Sequence, residues 1–530
     1  MPDDLPNALV MLTLRAQISF RAPHTPGGSL ETTSKSTQIV DRRRIVQAMV
    51  ALLVTMVCWS LSNPPGSTPD EYFTLGSIWC ANGKDSKHCF EMYEGGTKST
   101  YASGLADIDN QSCLLDVRGS IQRCEPIGLG IYVNSSGGGY PVWYYKIMNL
   151  FVPIGKSLNV LSMRLFNSLI AVGLLAAQLV LSNKQRRTSL LTSFTFTLFP
   201  MSIFLIASIH PSGWALTGVA NGWLFLLAAT SKPRLERRKN WLAWAAWAVC
   251  AGLCLASRYE AFLFFLASNL IALLATRITA RTLNWRVLLP VSAAGIVGGY
   301  ALLHFNKIAT WALKFPINPQ PGQIENGQWI THWLLQTIAI PVEILGTGLI
   351  GQRPLRIPDI VWIVGIALLG GVLLFSFIKT SAAQLIAFTG SLLMLLFIIL
   401  SFNGRLERDF LNLSGRYIIP LVPFIVGLCI YLSKSPVQLM EIRRLRILAI
   451  TLLSITHTIA LHSVVETYVD GQSYAFLPIS VGESGWWWIG LPFGPNFIVL
   501  IGAVSFAKFL TLIWTTVPTV QISVINSVEQ

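Results

Sequence analysis

The chain has 530 residues, of which 52% are hydrophobic and only 12% charged, about half the charged share of a soluble globular protein. That composition excludes a soluble domain and points to a multi-pass membrane protein. A formal net charge of +14 would suit nucleic acid in a soluble chain, but much of the Lys and Arg here lies in short loops between apolar segments. The charge is therefore read as membrane orientation, with membrane lipids as the surroundings and no nucleic-acid partner.

Residues 1–40 are polar, carry Pro, Ser and Thr, and lack an apolar signal region, which predicts a disordered cytoplasmic tail and no cleavable leader. A first transmembrane helix is expected within 41–62, entered through Arg42, Arg43 and Arg44. Residues 63–157 then form a long extracytoplasmic loop. It ends in GYPVWYYKIMNLFVPIG (139–155), too short and too interrupted by Pro and Gly to cross, and read as an interfacial or re-entrant helix whose Tyr and Trp sit at headgroup level. A multi-helix membrane domain is expected over 158–516 and a second cytoplasmic tail over 517–530.

Spans of roughly 20 apolar residues fall near 45–62, 158–181, 188–209, 212–230, 241–257, 259–276, 287–306, 357–378, 381–402, 416–433, 446–464 and 495–516. The fold class is therefore an all-α integral membrane protein with about twelve transmembrane helices. Basic runs at 42–44, 184–187, 232–239, 277–286 and 443–446 fall on one side if these spans alternate, and that side is the cytoplasm. Both termini are then cytoplasmic, in the plasma membrane of a bacterium, and 63–138, 307–356, 403–415 and 465–494 lie outside.

Four of the eight cysteines (Cys80, Cys89, Cys113 and Cys124) lie in the first outer loop, and the others in apolar spans. Short local loops close most readily in an oxidising space, so Cys80–Cys89 and Cys113–Cys124 are the expected bridges among three connectivities. None of the spacings is C-x-x-C, which argues against zinc.

The loop opens with NPPGSTPDEYFTLGSIWCANG (63–83), a turn-forming run followed by two adjacent carboxylates, Asp70 and Glu71. On a bland reading the prolines and Gly66 stop the first helix and Asp70 caps the next. On a functional reading, a carboxylate at a short helix's N-terminus serves as a base toward an incoming hydroxyl. Its neighbour then shares a proton or a divalent metal ion.

This arrangement resembles the GT-C superfamily of membrane glycosyltransferases, which join a basic first helix, a long outer loop opening on acidic residues, an interfacial Pro-aromatic helix and many spans. More narrowly, NPPGSTPDEYFTLGSIWC, GYPVWYYKI, HPSGWALTGVANGW and LSGRYIIPLVP resemble, in order and spacing, an uncharacterised actinobacterial family of multi-pass membrane proteins within it. The resemblance covers roughly residues 45 to 435. It implies transfer of a sugar from a polyprenyl-phosphate donor to a glycan or lipid acceptor of the cell envelope at the outer face. The catalytic base of such enzymes maps onto Asp70, with Glu71 as neighbour or substitute.

Such a transfer needs cations to steady the leaving phosphate, and Arg suits it because its planar fork binds two oxygens. Arg258 sits at a break between two spans, and Arg405, Arg408 and Arg416 flank the loop NGRLERDFLNLSGRY. The competing reading pairs Arg258 with Glu260, and Arg405 and Arg408 with Glu407 and Asp409. Arg416 has no nearby acid in sequence and starts a helix, so it ranks first as a phosphate ligand, with Tyr417 beside it. His210, at a turn before Pro211, is a candidate for orienting substrate, against simple local hydrogen bonding. The run Trp486, Trp487 and Trp488 suits an interface anchor ahead of a sugar platform. No glycine-rich phosphate loop, HExxH or serine elbow is present. A transporter or flippase of lipid-linked glycans and a non-catalytic envelope scaffold are the alternatives.

Overall fold

The computed structural model describes residues 31–68, 71–82, 89–94, 97–102, 131–133, 140–182, 184–230, 237–278, 285–305, 357–403, 415–433, 442–470, 486–488 and 492–515. Asp70, Cys113, Cys124, Arg405 and Arg408 lie outside those residues, as do most of the proposed tails and the 307–356 loop. The chain divides into two compact units, Met1–Arg43 and Arg44–Gln530, and the helical bundle belongs to the second.

A helix lies over each of the twelve apolar stretches. The first is α1 (Glu31–Leu61). The loop that follows contributes α2 (Glu71–Trp79) and α3 (Val142–Asn149), and then come α4 (Lys156–Leu181) and the bent pair α5 (Lys184–Thr197) and α6 (Pro200–Ile206). Next are α7 (Pro211–Ala229), α8 (Arg237–Ser257), α9 (Tyr259–Leu273) and α10 (Trp285–Phe305). The remainder are α11 (Ile360–Ser376), α12 (Ala382–Asn403), the short α13 (Gly415–Ile418) running on into α14 (Val422–Leu432), α15 (Arg443–Asp470) and α16 (Pro495–Thr515). Among the described residues, seven helices are long and apolar enough to cross a membrane, or eight if the bent pair is one span. This is fewer than the twelve expected, because α10, α11 and α12 each give only a shorter apolar stretch of 10–17 residues and α7, interrupted by Gly218, Asn221 and Gly222, is not among the candidate spans.

The membrane part is helical, but the first loop adds a small antiparallel sheet that the sequence reading did not foresee. Strand β1 (Cys89–Glu94) pairs with β2 (Thr97–Ala102), and β2 pairs with β3 (Ile131–Val133). Register runs from Cys89 opposite Ala102 to Glu94 opposite Thr97, a tight hairpin. A disulfide between Cys80 and Cys89, with Cα atoms 5.5 Å apart, ties the end of α2 to the start of β1.

Helix α7 is buried along its whole length and forms the centre of the bundle. Its neighbours approach closely because Gly218 and Gly222, four apart, present no side chain. A Cβ at Gly218 would lie 2.5 Å from Cys254 Sγ, and one at Gly222 2.3 Å from Phe265 Cε2. In a membrane, where lipid tails are as apolar as Leu, such small residues permit the close contact that holds helices together. Hydroxyls supply the rest: Ser189 Oγ donates to Gly427 O and Ser193 Oγ to Pro423 O, both at 2.5 Å, joining α5 to α14.

The end of the bundle opposite the first loop is held by arginines on helix C-termini. Arg186 Nη1 donates to Leu227 O at 2.7 Å in the last turn of α7, Arg187 to Leu179 O at 3.0 Å in the last turn of α4, and Arg44 to Thr515 O at 3.3 Å at the end of α16. Each cation meets carbonyls that have no partner within their own helix, at the negative end of its dipole.

Candidate functional site

The turn after α1 has a defined shape. Gly66 takes a φ of 82°, a left-handed conformation open to glycine without strain, and this aims its N–H back at Glu71. Glu71 Oε2 accepts from Gly66 N at 3.1 Å and from Thr68 N at 3.2 Å. Thr68 and Glu71 stand three apart at the start of α2, so the second contact is the Glu half of a capping box.

Arg164, one and a half turns into the apolar run of α4, completes this structure from across 93 residues of sequence. Its Nε donates to Glu71 Oε1 at 3.0 Å and its Nη2 to Glu71 Oε2 at 2.7 Å, a bidentate fork. The remaining guanidinium hydrogens go to Ser60 O at 2.7 Å, Asn63 O at 2.9 Å and Pro64 O at 3.0 Å, so all five donors are used. Both side chains are 0% exposed. A charged pair this deep is stable only when its hydrogen bonds are complete, and these are. The turn is held from a second side as well. Tyr468 Oη, in α15, donates to Ser67 O at 3.0 Å, and Trp488 Nε1 donates to Leu61 O at 2.9 Å.

Next along α4, Asn167 accepts from Trp214 Nε1 and donates to Ser208 O, each at 2.7 Å. The Trp214 ring meets Tyr144 of α3 edge-on at 4.8 Å. Burial pushes the Tyr144 phenol up, so it stays protonated at neutral pH. The interfacial Pro-aromatic helix is thus packed onto the N-terminal turn of α7. His210 is the N-cap of that helix: its Nδ1 accepts from Ser212 N at 3.0 Å, its ring lies 6.5 Å from Tyr140, and the residue is fully buried.

Ser212 connects this group to the cations. Its Oγ accepts from Arg258 Nη1 at 2.9 Å. Arg258 occupies the N-cap of α9, at the break between α8 and α9, and pairs with Glu260, Nε to Oε1 2.9 Å. Burial acts to lower the Arg258 pKa, but the Glu260 carboxylate and the nearby Tyr140 and Tyr417 outweigh it and the net shift is upward. The Arg258 guanidinium lies 4.1 Å from the Tyr417 ring centroid, and the Arg416 guanidinium lies 5.2 Å from the same ring. Two cations from separate elements therefore share one phenol.

Among the candidates singled out from sequence, the structure brings Glu71, His210, Arg258, Arg416 and Tyr417 to the end of the bundle that carries the first loop. Arg258 does pair with Glu260, as the structural alternative held, while also reaching Tyr417. Arg416 is partly buried and its Nη2 stands 3.4 Å from Tyr417 Oη. Arg164 was missed, although a single Arg inside an otherwise apolar span is itself a signal that a buried partner exists. Trp487 and Trp488 are buried against the bundle, unlike the interface anchor expected of a Trp run. Among the described residues no group of three or more His, Cys, Asp and Glu side chains is placed to hold a metal ion.

A family model described as "Predicted membrane protein (DUF2142)" matches residues 53–425, from the first helix to α14, and so takes in every element of this site except α15 and the Trp run. No curated protein and no solved structure matches the chain.

Proposed function

The chain belongs to this family of membrane proteins, and from that premise we propose that it is a GT-C-like glycosyltransferase. It moves a sugar from a polyprenyl-phosphate donor to a glycan or lipid acceptor at the extracytoplasmic face of a bacterial plasma membrane. In this reading the acceptor oxygen attacks the anomeric carbon, the bond from that carbon to the phosphate oxygen breaks, and the acceptor proton passes to Asp70. The polyprenyl phosphate leaves with the electron pair, held by Arg416 with Arg405 and Arg408 from the same loop. Arg258 is buried and already paired with Glu260, so its part is to hold Tyr417 in place. Glu71, with its oxygens engaged by Arg164 and two amides, fixes the backbone beside Asp70 and does not take the proton.

The observation that carries the reading is the Arg258–Tyr417–Arg416 stack at the same end of the bundle as the pinned turn before Asp70. A partly buried group of cations around one phenol suits phosphate departure, and a carboxylate in the segment that follows the pinned turn suits proton removal. The test is release of sugar from a synthetic polyprenyl-phosphate donor by purified, folded protein. Asp70→Asn is nearly isosteric and removes the proton acceptor, so the rate should fall by roughly 10²–10⁴-fold. Arg416→Lys keeps the charge and loses the fork, so donor affinity should weaken with folding intact. A wild-type rate for Asp70→Asn would overturn the assignment.

One observation favours the transporter reading. Arg186–Thr197 and Pro200–Ile206 meet at a 98° bend, and broken helices are typical of transport sites. A flippase would move a labelled lipid-linked glycan across proteoliposomes at the same rate with Asp70→Asn as without it.

A further inference from the structure

Trp486 and Trp487 stand where the function just proposed leaves them unused. Their rings are 4.8 Å apart and tilted by 41°, so they form a step and not a flat stack. Trp487 is 7% exposed, Trp486 is partly buried against the same core, and Trp487 meets Tyr468 edge-on at 6.2 Å. That tyrosine is the one bonded to Ser67 O, three residues before Asp70. Trp488 plays a different part, since its indole N–H is used on Leu61 O. By contrast, the Nε1 atoms of both Trp486 and Trp487 are buried and have no hydrogen-bond acceptor among the described residues.

Two buried indole donors without acceptors are costly, and a native structure retains such groups where something else completes them. Lipid tails cannot do so, since they carry no acceptor. What would complete them is a ligand with oxygen acceptors and apolar C–H faces. Carbohydrate has both: ring C–H groups lie on an indole face, and hydroxyl oxygens accept from its N–H.

We infer that the Trp486–Trp487 step is a carbohydrate subsite that holds the acceptor glycan beside the Asp70 turn, with Trp486 supplying the ring face and Trp487 the buried donor. The role as acceptor subsite rests on the transferase reading; the binding of carbohydrate does not. The turn then has the cationic group reached through α4 and α7 on one line of contacts, and the aromatic step reached through Tyr468 on another. Donor phosphate and acceptor sugar are recognised by different chemistry, and neither competes for the other's place.

The test uses full-length protein purified in a non-glycosidic detergent, because alkyl glycoside detergents would themselves fill the step. Methyl glycosides of mannose, galactose and arabinose are the probes, and saturation-transfer NMR with titration reads their binding. At least one should bind the wild type. Trp486→Ala should weaken that binding about tenfold or more, and Trp487→Phe, which preserves the packing and deletes the N–H, by several-fold. Trp241→Phe, at an indole that is 66% exposed and far along the chain from the step, should bind as the wild type does. Wild-type binding in both step variants, or no binding of any probe by the folded wild type, overturns the inference. Binding that the step variants lose, in a protein that Asp70→Asn leaves fully active, keeps the subsite and removes only the transferase reading.

Discussion

Arg164 and Glu71 show how one residue pair sets the geometry of a loop. The carboxylate alone is satisfied by Gly66 and Thr68 amides, and the guanidinium alone by three carbonyls at the end of α1; the two together lock the turn to α4. Removing one member strands the other in a dry interior. Arg164→Met should therefore destabilise the protein by about 3–5 kcal/mol, seen as a large drop in the thermal midpoint in detergent. Glu71→Gln keeps an acceptor for the two amides and should cost less. The double variant Arg164→Met with Glu71→Gln should be more stable than Arg164→Met alone, since no unpaired charge remains. If Arg164→Met melts with the wild type, the pair does not hold the turn.

At the scale of elements, the sequence was legible where structure depends on local pattern. Apolar runs mark helices because each turn must bury or face lipid, and a helix lies over every run. The turn at Pro64, Pro65 and Gly66 was legible for the same reason, as was the start of α7 at His210-Pro211, whose cap is a contact two residues away. Arg164 was not, because its partners stand 93 to 104 residues earlier and no periodicity reports them. The inward burial of Trp487 and Trp488 was hidden likewise, since it depends on where the end of α1 and the end of α15 come together. The hairpin in the first loop lacks strong alternation, and its placement is reinforced by the Cys80–Cys89 bridge. That bridge closes a loop of sequence separation 9, which should stabilise α2 and β1 by about 2–3 kcal/mol through restriction of the unfolded chain. Peptide mapping without reductant should recover the two cysteines in one linked species. Recovery of Cys80 as a free thiol from folded protein would remove the bridge and its contribution.

For the whole molecule the two ends of the bundle differ in chemistry. One end gathers the pinned turn, the Arg258–Tyr417–Arg416 stack, the disulfide and the Trp step. The other places Arg44, Arg186 and Arg187 on the C-terminal carbonyls of α16, α7 and α4. The basic excess that suggested orientation therefore has two causes that agree in sign: these arginines satisfy helix ends, and cations are retained on the cytoplasmic side during insertion. A disulfide at the opposite end requires an oxidising space there. From both arguments we propose that the first loop lies outside and the basic end in the cytoplasm. In a variant lacking all four first-loop cysteines, a cysteine placed at position 185 should resist a membrane-impermeant maleimide in intact cells and react after the membrane is opened. A cysteine at position 84, in the first loop, should react in both conditions. Labelling of position 185 from outside would invert the molecule, put the reducing cytoplasm against the Cys80–Cys89 bridge, and remove the extracytoplasmic setting on which the donor and acceptor assignments depend.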